Sequence, residues 1–278
     1  MIICLDIGNT DIKYAVFDGN ELKLSFRVAT EHNKTSDEYG EQLLSILRSN
    51  GITPSCVTGG IISSVVPSLD YTLERMCSTF LKFKPLMLAP GLKTGLNMKV
   101  DNVKEVGADR IVNNVWAVRK YGYPLIIVDF GTATTFNVID GKGDFIGGVI
   151  SPGIKGSLDS LVKGTAKLPK VEIERPATVI GKNTVTNMQS GIVFGFAGLV
   201  SYIVKKIKQE LKTENVTVVA TGGFSEIISK EINCIDKVDK LLTLEGLKYL
   251  YDLNSTEKKD EKSWSSYTRF GSSRWRNL

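Results

Sequence analysis

The chain has 278 residues, 42% hydrophobic and 23% charged, the balance of a soluble globular protein long enough for two modest cores. Its 35 Lys and Arg against 30 Asp and Glu give a net charge of +5, which invites a nucleic-acid or anionic-surface reading until the charges are placed. One histidine, His32, and four cysteines without C-x-x-C spacing (Cys4, Cys56, Cys77, Cys234) remove the support for a zinc finger, a Cys/His nucleophile or a Ser-His-Asp triad. The cysteines read as small buried hydrophobes of a reducing compartment. No apolar run reads as the roughly 18 uncharged residues that cross a bilayer, and MIICLDIGNT has no basic leader, so a cytoplasmic protein with no membrane contact is expected.

The first thirty residues read as three strands, Ile2 to Asp6, Ile12 to Asp18 and Leu22 to Val28, with hairpin chemistry at Asp18-Gly19-Asn20. Ser36-Asp37-Glu38 opens a helix with apolar Tyr39, Leu43, Leu44 and Leu47 at helical spacing, closed by Gly51. A strand over Val57 to Val65 and a helix from Pro67 to about Leu81 follow. Gly107-Ala108-Asp109-Arg110 starts a helix that runs through Ile111, Val115 and Trp116 to Lys120. Strands are then expected at Leu125 to Asp129, Thr134 to Asp140 and Asp144 to Ile150. A long helix over Thr184 to Leu211 carries glycines 191, 195 and 198 that permit close packing. Val216 to Ala220 reads as a strand, and Leu244 to Leu253 as a helix with Thr243 as a possible cap. From Ser255 to Leu278 there are six serines, two of the three tryptophans, and no aliphatic residue before Leu278, which reads as a disordered tail.

Asp6-Ile7-Gly8-Asn9 superposes on Asp129-Phe130-Gly131-Thr132, and the turn Asp18-Gly19 on Asp140-Gly141 at almost the same offset, as an internal duplication would leave them. A strand ending in an acid and followed by glycine places a carboxylate beside backbone N–H groups. Such a loop can hold phosphate while the acid engages a hydrated cation, and two copies facing across a cleft would grip a triphosphate from both sides. The plainer reading is that both acids cap turns, and Lys13 reads equally as a ligand or an outward strand residue. No G-x-x-x-x-G-K-[ST] occurs, and Gly141, Gly143 and Gly147 have the wrong spacing for G-x-G-x-x-G. At the start of the third helix, Arg110 beside free N–H groups would receive a carboxylate and Asp109 would take a proton from a hydroxyl. Dipole compensation by Asp109 and a surface pairing of Arg110 read equally well.

Asp6-Ile7-Gly8-Asn9-Thr10, Gly107-Ala108-Asp109-Arg110 and Asp129-Phe130-Gly131-Thr132-Ala133-Thr134-Thr135, in this order and spacing, resemble the type III pantothenate kinases. These belong to the superfamily of acetate and sugar kinases, heat-shock chaperone ATPases and actin. The likeness runs from Met1 to about Asn254 and takes in Ser64-Val65-Val66-Pro67, Gly91 to Gly95, Ser151-Pro152-Gly153 and Thr221-Gly222-Gly223. It implies an α/β fold of two duplicated ribonuclease-H-like domains with mixed five-stranded sheets, at 1–115 and 116–254, closing over ATP, with 255–278 as a basic appendage.

The implied reaction is transfer of the γ-phosphoryl group of ATP to the primary hydroxyl of pantothenate, the first step towards coenzyme A, with Mg2+ and K+ or NH4+. By position, Asp6, Ile7, Gly8, Asn9, Thr10, Asp11, Ile12 and Lys13 would form the first nucleotide loop, with Asp6 near the Mg-nucleotide, and Thr132 would lie in the second. Asp109 would be the general base. Gly107, Ala108, Asp109 and Arg110 would contact pantothenate, Asp129 would hold the monovalent cation, and Thr184 would touch substrate near a homodimer interface. Val100 stands where the family often carries a tyrosine beside the substrate, a change that would weaken pantothenate binding. The alternatives are a kinase for another small hydroxy acid and an ATP-binding transcriptional regulator of the same fold. The tail holds six basic and three acidic residues, leaving 29 basic against 27 acidic before it, so a nearly neutral body with no nucleic-acid partner is expected.

Overall fold

The computed structural model describes residues 1–268. Two five-stranded sheets carry the chain. In the first, β1 (Ile2–Ile7), β2 (Asp11–Asp18) and β3 (Glu21–Ala29) form an antiparallel meander turning at Gly19, whose φ of 55° lies in the left-handed region. On the other side of β1, β4 (Gly59–Ser64) and then β5 (Leu86–Met87) add in parallel, giving the order β3-β2-β1-β4-β5. The second sheet repeats this with β6 (Leu125–Phe130), β7 (Ala133–Ile139), β8 (Phe145–Pro152), β9 (Thr217–Gly222) and β10 (Lys237–Val238) in the order β8-β7-β6-β9-β10. The same strand directions and the same order in both halves are the duplication that the repeated loop led us to expect, in the ribonuclease-H-like form that the resemblance implied.

Strand periodicity sets which way the acids point. Along β1, Ile3, Leu5 and Ile7 enter a core under α1 (Ser36–Ser49) and α2 (Pro67–Met76), while Ile2 and Cys4 enter a second core on the opposite face. That second core is made by α3 (Ala108–Tyr121) and α7 (Leu242–Thr268), through Val112, Val115, Leu244, Leu247 and Leu250. Along β6, Ile126, Val128 and Phe130 face α5 (Thr184–Leu211), whereas Leu125 and Ile127 face a core containing Ala117 of α3 and Leu242 of α7. By the same parity Asp6 and Asp129 both fall on the faces that α3 and α7 cover, between the two sheets. The boundary expected at 115/116 falls inside α3, an unbroken helix whose first turns pack on one sheet and whose later turns pack on the other.

Several elements differ from the sequence reading. The two-residue strands β5 and β10, α4 (Ile154–Lys163) and α6 (Ser225–Ser229) were not expected; the strands and α6 are too short to show periodicity, and α4 opens after Gly153 without a side-chain cap. Thr243 does not cap α7: the helix starts at Leu242, and the Thr243 hydroxyl donates to Asn113 Oδ1 at 2.7 Å. Cys4 and Cys77 are buried, and burial pushes the Cys77 thiol up to about 12, but Cys56 is exposed. The sequence contains a helix that meets the length and apolarity of a membrane span after all, α5, with a mean hydropathy of 1.4. Its Val193, Phe196, Ala197, Val200 and Val204 pack on the second sheet, as in a core helix. The bounds of α7 reach Thr268, into the stretch expected to be disordered; 269–278 lie outside the described residues.

Candidate active site

The first loop is closed by its own backbone. The Gly8 N–H donates to the Asp11 carbonyl at 3.0 Å, and the Thr30 hydroxyl donates to the Gly8 carbonyl at 2.6 Å. Ile7 and Ile12 are core residues, so what they present to the loop is backbone, while Asn9 and Thr10 are exposed. Asp11 pairs with Arg27 at 3.4 Å. Antiparallel register sets Lys13 opposite Asp6, and Lys13 Nζ lies 3.2 Å from Asp6 Oδ2. The second loop is built alike, with the Gly131 N–H donating to the Ala133 carbonyl at 3.1 Å. The two loops meet: the hydroxyls of Thr10 and Thr132 lie 3.0 Å apart, across 122 residues of chain.

Glycines make room for this approach. A Cβ on Gly153 would come within 2.0 Å of the Thr132 carbonyl, and one on Gly222 within 2.6 Å of Asp129 Oδ1, at a φ of 90° that itself favours glycine. Ser151-Pro152-Gly153 and Thr221-Gly222 thus border the second loop.

Three acids surround one ammonium. Burial opposes charge on Lys13, but Asp6, Asp129 and Asp11 outweigh it and raise its pKa, so it is held charged. Burial pushes Asp129 up to about 6; Lys13 pulls it down, the acids Asp109 and Asp6 push it up, and a hydrogen bond from Asn113 Nδ2 at 3.1 Å lowers it. Burial, then the charge on Asp6, also raises Asp109 above the usual carboxylate range, against the Arg110 N–H, which donates to its Oδ1 at 2.8 Å, and the charges of Lys13 and Arg110. Asp109 stands in the first turn of α3, where Gly107 lies so close that a Cβ there would meet Asp109 Oδ1 at 2.6 Å.

Arg110 turns away from Asp109. Its Nε donates to Asn137 Oδ1 at 2.7 Å, and its guanidinium lies 5.7 Å over the Phe145 ring. Burial lowers its pKa and Asp109 raises it, with burial the larger effect. Asp6, Lys13, Asp109 and Asp129 are therefore brought together where the loops meet at Thr132, while Arg110 leaves the same helix start towards Asn137. Val100 packs beside the apolar cluster of Phe145 and Ala117. Thr184 lies in a different place, at the exposed start of α5, in a groove of about 580 Å³ with Leu161, Leu168, Met188 and Ile192.

Asn113 and Asn137 were missed by sequence reasoning, and Thr243 was named only as a helix cap. The signal was present in part: Asn113 stands beside the core residue Val112 on α3, and Asn137 between Phe136 and Val138, each a polar residue in an apolar position.

Fold and site together define a kinase of the duplicated ribonuclease-H-like kind. The chain belongs to the type III pantothenate kinase family, whose model matches residues 2–206. Gly222 and Thr243 lie beyond that stretch. Among solved structures, the chain is similar to a conserved putative Baf family transcriptional activator from Campylobacter jejuni, with 18% identity over 92% of this chain and 100% of that one and a TM-score of 0.58. It is also similar to a putative 2-dehydro-3-deoxygalactonokinase from Sinorhizobium meliloti, with 9% identity, 100% and 99% coverage and a TM-score of 0.53. The ethanolamine utilization protein EutJ from Carboxydothermus hydrogenoformans matches at 17% identity, 88% of both chains and a TM-score of 0.50. At these identities the likeness is one of fold.

Proposed function

We propose that the protein phosphorylates pantothenate to 4'-phosphopantothenate with ATP, in the cytoplasm, as a homodimer of two-domain subunits divided near 115/116. The observation that carries this reading is the approach of Asp109, at the start of α3, to Asp6, Lys13 and Asp129 of the two loops whose threonines touch, with the Arg110 guanidinium directed from the same helix start to Asn137. A regulator that only binds nucleotide has no use for a base beside a guanidinium whose terminal nitrogens have no partner among the described residues. In the reaction, the substrate hydroxyl oxygen forms a bond to the γ-phosphorus as the bond from that phosphorus to the β,γ-bridging oxygen breaks; ADP leaves, and the hydroxyl proton passes to Asp109. The raised pKa of Asp109 favours taking that proton. Lys13 and the N–H groups of both loops offset charge on the transferring group.

Among the described residues no three acids, histidines or cysteines converge to hold a metal unaided. Mg2+ suits such a site, since it is commonly held by one or two carboxylates, waters and substrate phosphates, and Asp6 is the carboxylate we assign to it. When bound it would neutralise phosphate charge. Asp129, a largely buried acid without an ammonium of its own opposite it, suits K+ or NH4+.

The exposed Ile150, Leu161, Val179, Ile180 and Val185, and the open space beside Gly191, Gly195 and Gly198, support a second copy covering the α5 face near Thr184. Light scattering on the purified chain tests the dimer. Incubation with ATP, Mg2+, K+ and pantothenate, following phosphopantothenate, tests the reaction. Product only with another hydroxy acid would change the substrate, and bound ATP with no product from any acid would favour the regulator.

A further inference from the structure

The guanidinium of Arg110 is fixed by the second half of the molecule although Arg110 belongs to α3. Asn137 on β7 accepts from its Nε, Phe145 on β8 lies beneath it, and Gly148 leaves the gap it fills: a Cβ there would sit 2.8 Å from Nη2 and 1.9 Å from the Phe136 carbonyl. With Nε engaged, the two terminal nitrogens keep their N–H groups unpaired among the described residues. Among the described residues no carboxylate forms an ion pair with this guanidinium, and its planar fork matches a carboxylate in geometry. Asn137 is fully buried, yet its Nδ2 has no hydrogen-bond partner. Turning the amide over would set its NH2 against the Arg110 N–H, so the orientation is fixed by its neighbour. A buried amide donor left unpaired is costly and calls for a partner.

We propose that Asn137 determines substrate specificity: it aims the Arg110 fork at the substrate carboxylate, and its Nδ2 is a further donor to that group. The second half of the molecule, and not α3 alone, then selects an acid over a neutral alcohol. This inference rests on the reading that the substrate is a small hydroxy acid.

The test compares kcat/KM for pantothenate with that for pantothenol, which carries a primary alcohol in place of the carboxylate and keeps the reacting hydroxyl. The wild type should prefer the acid, and Asn137→Ala should cut that preference by about tenfold to a hundredfold, the worth of one or two hydrogen bonds to a charged group. Asn137→Asp keeps the size and the acceptor for Nε, pairs with Arg110 and so protects folding; it should remove most of the preference. In an Arg110→Ala background, Asn137→Ala should cut the ratio clearly less than it does alone, because only the Nδ2 donor is left to lose. Equal losses for acid and alcohol, or a full extra loss in the double variant, would overturn the proposal in favour of a purely structural Asn137. If the wild type phosphorylates pantothenate and neither Asn137 variant moves the ratio, this inference alone fails. If the wild type phosphorylates neither compound, the functional reading fails with it.

Discussion

The two copies of the Asp-x-Gly loop share a backbone and differ in what stands against the acid. In the first, the ladder position opposite Asp6 holds Lys13, whose ammonium lies 3.2 Å from the carboxylate. In the second, the matching position opposite Asp129 holds Thr135, and the carboxylate receives the neutral amide of Asn113 instead. Burial pushes Asp129 up to about 6, and an amide satisfies a lone pair without supplying a charge to oppose that; Lys13, which does pull it down, stands opposite the other acid. One exchanged ladder residue is enough to give a duplicated geometry two different surroundings, one acid with an ammonium opposite it and one with a neutral amide.

The largest effect should come from a residue that belongs to neither copy. If Asp109 is the base and the loops only hold and neutralise phosphate, Asp109→Asn should lower turnover by about 10²-fold or more, with ATP still bound. Steady-state phosphorylation and calorimetric ATP titration check this together; near-normal turnover in a folded variant would move the base into one of the loops and undo the division of labour.

Asp129 offers a test of the contrast through stability. Its folded pKa lies above the unfolded value near 3.9, so the folded state prefers the protonated form. The associated stability is fully present below pH 4 and is lost as pH rises through about 6. Asp129→Asn escapes that loss. Without potassium, the variant should match the wild type near pH 4 and exceed it at pH 7 by at most about 3 kcal/mol in denaturant unfolding. An equal gain at both pH values would mean that the acid is not strained by its burial.

How far these differences can be read from sequence depends on their range. The duplicated loops were legible because each has an acid near the end of a strand with glycine two residues further on, a signal contained in four residues. The span of α5 was legible from end to end, with Asn183 capping it through a hydrogen bond to the Thr186 N–H. The partners of the acids were not legible. Asn113 reaches Asp129 across 16 residues, Arg110 reaches Asn137 across 27, and Thr243 reaches Asn113 across 130, so nothing local marks them. Nor was it legible that α3 and α7 would each serve both sheets, because an apolar stripe says that a helix is covered and not by what.

A more direct alteration of the contrast would install the missing lysine. Thr135→Lys places an ammonium opposite Asp129 as Lys13 stands opposite Asp6, and an opposite charge at that range should bring the Asp129 pKa down from about 6 towards the ordinary carboxylate range. Carboxyl chemical shifts followed against pH measure this. Under the proposed cation role, the ratio of rates in potassium and sodium should fall towards one in the same variant. A ratio that survives would detach the cation from Asp129.

The smallest effect tests what keeps the second acid distinct. Thr243 donates to Asn113 Oδ1 and so turns the Asn113 NH2 towards Asp129, which ties α7 to a carboxylate it does not itself touch. Thr243→Val keeps the shape and removes the donor. The cost should be about 1 kcal/mol, or a few degrees in Tm, and Thr243→Ser should recover it. Packing alone would predict the same cost whatever occupies position 129. A relay predicts that the cost changes once Asp129 is replaced by Asn, because the amide then has no carboxylate to hold. The double-mutant cycle in Tm decides between them, and a coupling near zero would reduce Thr243 to a core residue that happens to carry a hydroxyl.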